Sequence, residues 1–422
     1  MGSFENIVDG DTLFQVACMP GHDNSSIIRP TTHPVFSPYE LPSSGPTSYP
    51  RPVVHDSKHL IQGYYLNENE YRDVAVLQIP TFKLDGEIPK TFSQTARRFV
   101  NQSIADGKTK MIIDLSGNGG GDINIGLNIF RIFFPHENID TRTRFRATEL
   151  IYLMGKVFSS DQAHGFYADF PLDLPLVAHL AVTPNQNETF GSWEELYGPK
   201  DIQGVPMSQL YSTFNFTSAS TEDDPIAGYG NVTPTHASQP FKAENIIIMT
   251  DGYCASTCVI LAKLLQEQGV QSIAFGGRPR HAPMQLLGGV KGGQYWSLTT
   301  ISRYVREAYT IAVNASEMEI PILTAEEMRR YREISPPPTQ SFSLRFDIHG
   351  SSGVNFRNAY SERDGETPLQ FIYESASCRL FFTAENYVRP ATLWLAAAAA
   401  MFGNGSCVPG STIMDLKKRP EI

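Results

Sequence analysis

Ser256 is the residue of this chain that is best placed for nucleophilic chemistry. It lies in the segment NIIIMTDGYCASTCVILAKLLQEQG (245–269), where an apolar run at 245–250 is followed by a polar turn and then by apolar residues at helical spacing. The segment predicts a buried strand, a sharp turn and a helix with Ser256 at its start, where unpaired backbone N–H groups favour developing negative charge. The alternative is that Ser256 only caps the helix, because serine is a preferred N-cap residue.

A glycine-rich loop upstream could bind an oxyanion. The segment KMIIDLSGNGGGDINIGLNIFRIFFP (110–135) has an apolar run at 111–115, a loop at 116–122 and then a helical pattern. Its glycines allow tight turns and leave backbone N–H groups unshielded. A dinucleotide fingerprint is the alternative, but its third glycine position is Asp122 here, and no P-loop lysine follows. An oxyanion hole with Gly119 and Gly120 as donors fits better.

The two motifs together resemble those of the tail-specific protease (C-terminal processing peptidase) family. The likeness is carried by DLSGNGGG (114–121) and DGYCASTC (251–258), and it continues through 274–294 and 367–383. It is to the family's fungal branch, which is similar to the chlamydial protease-like factor. The resemblance implies a serine-type peptidase with Ser256 as nucleophile, Gly119 or Gly120 as oxyanion donor, and neither metal nor organic cofactor.

The general base departs from the patterns of that family. Bacterial members use a Ser–Lys dyad, and the corresponding spacing falls here on His281 and Ala282, whereas Lys291 is the first lysine after the nucleophile helix. Fungal and chlamydial members use an upstream histidine in a His-Asp-Gly-His-like segment, which we do not find. His281 and Lys291 are therefore the candidate bases, with a surface-loop histidine and a hairpin lysine as the alternatives.

Composition limits the classes of partner. The 422 residues are 41% hydrophobic and 18% charged, typical of a globular chain that is long enough for more than one core. A net charge of −10 argues against nucleic acid. The longest apolar run, 393–402, is about half a membrane span, so no membrane segment is predicted. The expected partner is a peptide or protein substrate, and the oligomeric state stays open.

The chain's location is not fixed by its sequence. Residues 1–6 have neither the basic nor the apolar region of a signal peptide. Asn-x-Ser/Thr sequons nevertheless indicate a secretory ancestry. They lie at Asn24, Asn101, Asn187, Asn215, Asn231, Asn314 and Asn404. A shortened relative of a secreted peptidase, or a wrongly placed start codon, would explain both observations.

Two of the five cysteines, Cys254 and Cys258, bracket Ser256. At this spacing they could form a disulfide that clamps the nucleophile turn, if the compartment is oxidising. A zinc site is the weaker alternative, because no matching Cys or His pair accompanies them. Two buried small hydrophobic side chains are the other alternative.

Alternating strand and helix patterns predict an α/β fold with a mixed, mostly parallel sheet and flanking helices. The resemblance implies a crotonase-like protease core. We expect an extended N-terminal arm at 1–70, a catalytic core at 71–310 and a C-terminal part of the core with a terminal helix at 311–422. An irregular insert at about 136–243 could wall a substrate cleft. Its Trp193, Tyr197 and Phe214 are predicted to be packing residues.

The main functional hypothesis is a serine endopeptidase that forms an acyl-enzyme on Ser256. Fungal members of the family also occur beside genes for ribosomally made, modified peptides, so the resemblance allows a processing peptidase in fungal secondary metabolism of the mycotoxin type. One alternative is a non-catalytic, peptide-binding relative without the general base. The other is a secreted general protease with a truncated gene model.

Overall fold

The structure, a computed structural model, describes residues 49–84, 89–163, 176–213, 215–216, 225–288, 290–291, 294–335, 353–362 and 364–413. Most of the predicted N-terminal arm lies outside the described residues, as do Cys18 and Phe214.

Strands in the described residues form one large sheet and three two-stranded ribbons. They are β1 (Val54–His55), β2 (Gln62–Tyr65), β3 (Val74–Gln78), β4 (Lys110–Asp114), β5 (Thr143–Phe145), β6 (Lys200–Ile202), β7 (Val205–Met207), β8 (Ile246–Thr250), β9 (Gln271–Phe275), β10 (Tyr295–Ser297), β11 (Gly353–Asn355), β12 (Arg357–Ala359) and β13 (Cys378–Leu380).

The large sheet has the order β1-β2-β3-β4-β8-β9-β13. Neighbours from β3 to β13 pair in parallel, whereas β1–β2 and β2–β3 are antiparallel. The predicted mixed, mostly parallel α/β sheet is therefore confirmed. The ribbons are β5–β12, β6–β7 and β10–β11.

Helices pack against the sheet and against the insert. They are α1 (Pro89–Ala105), α2 (Ile123–Phe133), α3 (Glu149–Phe158), α4 (Trp193–Tyr197), α5 (Thr257–Glu267), α6 (Leu298–Glu317), α7 (Ala325–Ile334), α8 (Ala384–Val388) and α9 (Ala391–Phe402). Short 3-10 turns lie at Asn69–Tyr71, Ala178–Leu180, Ala243–Asn245 and Leu369–Phe371.

Both faces of the central sheet are buried. On β4, Met111 and Ile113 face the core that contains α1, α2 and α5, while Ile112 faces the opposite core, which contains Trp394 of α9. A parallel strand covered on both sides has no polar face, which explains the unbroken apolar runs that made β4 and β8 visible in the sequence.

The central sheet begins earlier in the chain than the predicted boundary between the arm (1–70) and the core (71–310). Strands β1 and β2 fall within the range expected to be an extended arm, yet they form the antiparallel edge of the central sheet. The connection between them is held by Asp56, whose carboxylate accepts from the amides of Lys58 and Ile61. Strands of two and four residues are too short to give a readable alternation, so the pattern missed them.

The described residues of the insert do not form a separate hydrophobic core. Phe145 and Trp193 from the insert pack with Trp296 and with helices α6 and α7 in one hydrophobic cluster. Trp193 stacks on Phe145 with ring centroids 5.7 Å apart, and its indole N–H donates to the carbonyl of Tyr152 at 2.9 Å. The predicted packing roles of Trp193 and Tyr197 are confirmed. The cluster ties the insert to residues well beyond its predicted end.

Candidate active site

The turn between β8 and α5 holds Ser256 in an unusual backbone conformation. Ser256 occupies the N-cap position of α5 with φ 54° and ψ −119°, and its side chain makes no capping hydrogen bond. A non-glycine residue at positive φ is strained by roughly 1–3 kcal/mol. The interpretation of Ser256 as a helix cap alone is therefore wrong, because the hydroxyl does not cap. A sharp, strained strand-to-helix turn is a known way to expose a nucleophilic serine.

A neighbouring segment supports this turn through its backbone. The amide of Ser256 donates to the carbonyl of Val290 at 3.1 Å, and the amide of Gly288 donates to the carbonyl of Cys254 at 2.5 Å. A Cβ added to Gly288 would lie 2.4 Å from the carbonyl oxygen of Tyr253. Gly288 and Val290 therefore lie directly against the nucleophile turn, and glycine is required at position 288 for that approach.

The bracketing cysteines form a disulfide. Cys254 and Cys258 are both buried, with Cα atoms 5.3 Å apart, and their link spans Ser256. The disulfide alternative therefore holds, and the zinc and unlinked-thiol alternatives do not. A second disulfide joins Cys378 to Cys407. No sequence pattern predicted that pair, since disulfide pairing depends on distance in the folded chain.

The glycine loop after β4 lies against the nucleophile turn. Gly120 has φ +97°, and a Cβ there would lie 2.7 Å from both the Cβ of Ser256 and the carbonyl oxygen of Ala255. Gly121 has φ +141°, and its Cβ would lie 2.1 Å from the carbonyl carbon of Phe82. Both positions need glycine for the backbone conformation and for space.

The loop's amides are not equivalent. The amide of Gly120 donates to the Asn118 Oδ1 at 2.8 Å, and Asn118 is itself anchored by its Nδ2 on the carbonyl of Ile79. The amides of Gly119 and Thr257 have no acceptor among the described residues. Of the two predicted oxyanion donors, the geometry favours Gly119. Asn118 was not singled out from the sequence, although an asparagine within a run of glycines is a visible signal.

Ser256 opens into a cavity of about 740 Å³ at the carboxyl edge of the sheet. Its lining is Gly119, Gly121, Ile123, Gly252, Tyr253, Ala255, Ser256, Gly288, Val290, Gln294 and Tyr295. None of these residues is charged. Within the described residues none of the lining belongs to the insert, so its role as a cleft wall stays a prediction.

Neither predicted base lines the cavity. Lys291 is 4% exposed, and its Nζ lies 2.9 Å from the Glu374 Oε2 while donating to the Gln285 Oε1 at 3.1 Å and the carbonyl of Ile372 at 2.8 Å. An ammonium engaged in this way has no lone pair with which to accept a proton. The geometry therefore opposes Lys291 as a base and gives it a role in fastening the segment next to Val290.

His281 lies on an exposed loop beyond β9. That loop is fastened from below by the guanidinium of Arg379, which donates to the carbonyls of Gly276, Arg280 and Ala282. The location agrees with the alternative of a surface-loop histidine. Arg379 was not singled out from the sequence, because a buried arginine cannot be told from an exposed one by type alone.

Acidic residues near the site hold turns and caps. Asp122 caps α2 by accepting from the amides of Asn124 and Ile125. Asp114 is buried at the end of β4 and accepts from the amide of Ser116 and the indole of Trp394. Burial raises the pKa of the Asp114 carboxyl, and these hydrogen bonds act against that shift.

No group of three or more His, Cys, Asp or Glu side chains in the described residues is arranged to hold a metal ion. In the same residues, no helix has both the length and the apolar character needed to cross a bilayer.

Comparisons with known proteins identify the family of this chain. Residues 73–279 match peptidase family S41. The chain is 56% identical over 407 residues to the peptidase S41 family protein ustP of Aspergillus flavus, covering 95% of this chain and 84% of that protein. It is 44% identical over 419 residues to the peptidase S41 family protein phomP1 of Diaporthe leptostromiformis, covering 94% of this chain. The chain belongs to peptidase family S41.

The chain spans 63% of the length of phomP1, and the same share of its counterpart phomP1'. Among solved structures, a CPAF mutant aligns over 83% of this chain and 55% of its own, with 12% identity and a TM-score of 0.39. A photosystem II D1 C-terminal processing protease aligns over 52% of this chain and 36% of its own, with 10% identity and a TM-score of 0.22.

Proposed function

We propose that this protein is a serine endopeptidase that acts through an acyl-enzyme on Ser256. The Ser256 hydroxyl attacks the scissile carbonyl, and the N–H groups of Gly119 and Thr257 stabilise the oxyanion. The amine product leaves, and water releases the acyl group. One observation carries the proposal: Ser256 lines the cavity in a strained conformation, and its hydroxyl is not used to cap α5.

One specific observation favours a second candidate function, a peptide-binding protein without turnover. No histidine or lysine is among the described residues that line the cavity. Serine attack requires a group that takes the hydroxyl proton. In the second candidate the cavity and the glycine loop bind a peptide but do not cleave it.

A fluorophosphonate probe separates the nucleophile from other serines. We expect the wild type to be labelled and Ser256→Ala to remain unlabelled. Its free energy of unfolding should fall by about 1 kcal/mol or less, since no capping bond is lost. Ser116→Ala, in the glycine loop but outside the cavity lining, is the matched control and should label normally. Labelling that persists in folded Ser256→Ala would refute the nucleophile assignment.

Turnover separates the two candidates. A library of fluorogenic peptides should be cleaved by the wild type and not by Ser256→Ala, while both bind the same peptides. If the wild type binds peptides with no cleavage and resists the probe, the non-catalytic function is correct.

We further propose that the substrate is a ribosomally made peptide precursor. The lining of the cavity is uncharged and includes Gln294 and Tyr295, which supports a restricted choice of substrate because a cleft excludes residues it cannot accommodate. The test compares a repetitive precursor with an unrelated denatured protein by mass spectrometry of the products. Cleavage confined to boundaries in the precursor supports processing, and equal cutting of both substrates indicates a general protease.

A further inference from the structure

The loop between β9 and the segment that supports Ser256 lies at the same edge of the sheet as the cavity. Strands β8, β9 and β13 are parallel, so the residues that follow them emerge together. The far end of the loop contacts the nucleophile turn, since a Cβ added to Gly252 would lie 2.6 Å from the Met284 Cε. Gly252 lines the cavity. The loop surface is therefore continuous with the candidate active site.

Arg379 fixes this loop from beneath. It is 3% exposed, and its guanidinium donates to the carbonyl of Gly276 through two nitrogens, at 3.0 and 2.8 Å. It also donates to the carbonyls of Arg278, Arg280 and Ala282. All N–H donors of the Arg379 guanidinium are used on backbone carbonyl oxygens of the loop. The planar guanidinium therefore holds these carbonyls in one fixed arrangement. The loop is therefore a built element of the fold.

Two arginines on this loop are exposed and unpaired. Arg278 and Arg280 direct their carbonyls to Arg379, both residues are exposed, and neither has a carboxylate partner within ion-pair distance in the described part of the chain. Both cations lie on one loop of a chain whose net charge is −10. Such cations favour a ligand that brings its own carboxylates.

Exposed aromatic rings border the same loop. The hydroxyl of Tyr373 donates to the carbonyl of Pro283 at 3.2 Å, and the Phe382 ring lies 2.9 Å from where a Cβ of Gly276 would be. Both rings are more than half exposed. Rings held in water by a folded protein commonly mark a binding surface. We call Arg278, Arg280, Tyr373 and Phe382 the basic aromatic surface.

We propose that the basic aromatic surface binds a segment of the peptide substrate that is rich in carboxylates and aromatic side chains, outside the bond to be cleaved. This inference rests on the proposed peptidase function. The arginines pair with carboxylates of the substrate, and the exposed rings pack against its aromatic side chains. Because the surface is continuous with the cavity, one extended peptide can occupy both. The surface then selects substrates by their carboxylates and aromatic side chains, which the uncharged cavity does not recognise.

Binding is measured by fluorescence anisotropy on Ser256→Ala, so that no substrate is consumed. The probes are a labelled peptide of alternating Glu and Tyr and two counterparts, one of Lys and Tyr and one of Glu and Ser. We expect the Glu–Tyr peptide to bind best and Arg278→Glu with Arg280→Glu to weaken it about tenfold or more. Tyr373→Ala should weaken it about threefold, with little effect on the Glu–Ser peptide.

The matched control is Arg72→Glu with Arg306→Glu, which changes the net charge equally at two exposed positions outside the surface. It should leave Glu–Tyr binding within about twofold, because screened charges at a distance contribute little. Equal weakening by both pairs would show a general charge effect and overturn the proposal. A wild-type dimer that only the Arg278/Arg280 variant disperses would mean that a second copy of this chain occupies the surface, which also overturns it.

Turnover keeps the two proposals apart. The best fluorogenic substrate of the wild type is compared with the same peptide extended by a Glu–Tyr segment. The Arg278/Arg280 variant should raise KM for the extended peptide about tenfold and leave kcat, and both constants for the short peptide, unchanged. Cleavage without any effect of the variant refutes the surface alone. Binding that depends on the arginines, with no cleavage by the wild type, refutes the peptidase and retains the surface.

Discussion

Gly120 and Ser256 meet so closely that a Cβ on the glycine would lie 2.7 Å from the Cβ of the serine. The two residues come from motifs that follow adjacent parallel strands, β4 and β8. A second contact of the same kind joins the helices that follow the two motifs, since a Cβ of Gly126 would lie 2.6 Å from the Thr257 Cγ2. The glycine loop and the nucleophile turn therefore form one packed unit.

Gly120→Ala should damage both stability and reactivity. At φ +97° the new Cβ is strained and collides with the Ser256 turn, so we expect a loss of roughly 2–4 kcal/mol and of fluorophosphonate labelling. Gly117→Ala is the matched control: its φ is +72°, but nothing lies within 4 Å of the added Cβ. It should cost about 1 kcal/mol and keep labelling. Equal effects in urea titrations and labelling assays would contradict this account of Gly120.

Lys291→Met should destabilise the protein by about 3 kcal/mol, because it leaves the partly buried Glu374 carboxylate without its cation. The double variant with Glu374→Gln should recover a large part of the loss, as measured by urea unfolding. Fluorophosphonate labelling should follow the same order, since the pair fastens the segment that supports Ser256. Complete loss of labelling in a stable double variant would instead identify Lys291 as the base.

The two disulfides should differ in what they contribute. They close sequence separations of 4 and 29 residues, so chain entropy predicts losses of about 2 and about 3.5 kcal/mol when each pair is replaced by alanine. Replacing Cys254 and Cys258 should nevertheless reduce labelling of Ser256 more than replacing Cys378 and Cys407. Thermal unfolding and labelling rates of the two double-alanine variants, measured in parallel, test this prediction. The prediction fails if the variant that loses more stability also loses more labelling.

Trp394→Phe should be more harmful at high pH than at low pH. Burial raises the pKa of Asp114, so the wild type itself loses stability as the pH rises through that folded-state pKa. The Trp394 indole favours the ionised form through a 2.8 Å hydrogen bond, and its loss raises the pKa further. Below both pKa values the carboxyl is protonated in either protein and this electrostatic cost vanishes.

We expect the cost of Trp394→Phe to be about 2 kcal/mol greater at a pH above the folded-state pKa of Asp114 than at a pH below it. Trp296→Phe is the control, because the buried Trp296 indole has no hydrogen-bond partner in the described structure. Its cost, measured by urea unfolding, should be the same at both pH values. A pH-independent cost for Trp394→Phe would show that the indole does not stabilise an ionised Asp114.

Local patterns predicted much of the core and failed at short edge elements. Strands β4 and β8 are buried on both faces, so each produced a continuous apolar run that could be read directly. Strands β1 and β2 pair at the sheet edge, and their few residues show no periodic pattern. The insert was recognised as irregular, but its shared core with α6 and α7 depends on contacts between distant parts of the chain.

The sequence by itself determined the strand, turn and helix around Ser256, the glycine loop and the mostly parallel α/β sheet, because these follow from local periodicity and from glycine's backbone freedom. Only the tertiary structure decided that the Ser256 hydroxyl does not cap its helix, that the Gly120 amide is occupied by Asn118, and that Lys291 is engaged by Glu374. The first two depend on backbone angles that residue type alone does not set, and the Lys291–Glu374 contact depends on which distant groups become neighbours. The same reason hid Arg379, whose burial beneath an exposed loop exists only once β9 and β13 have paired.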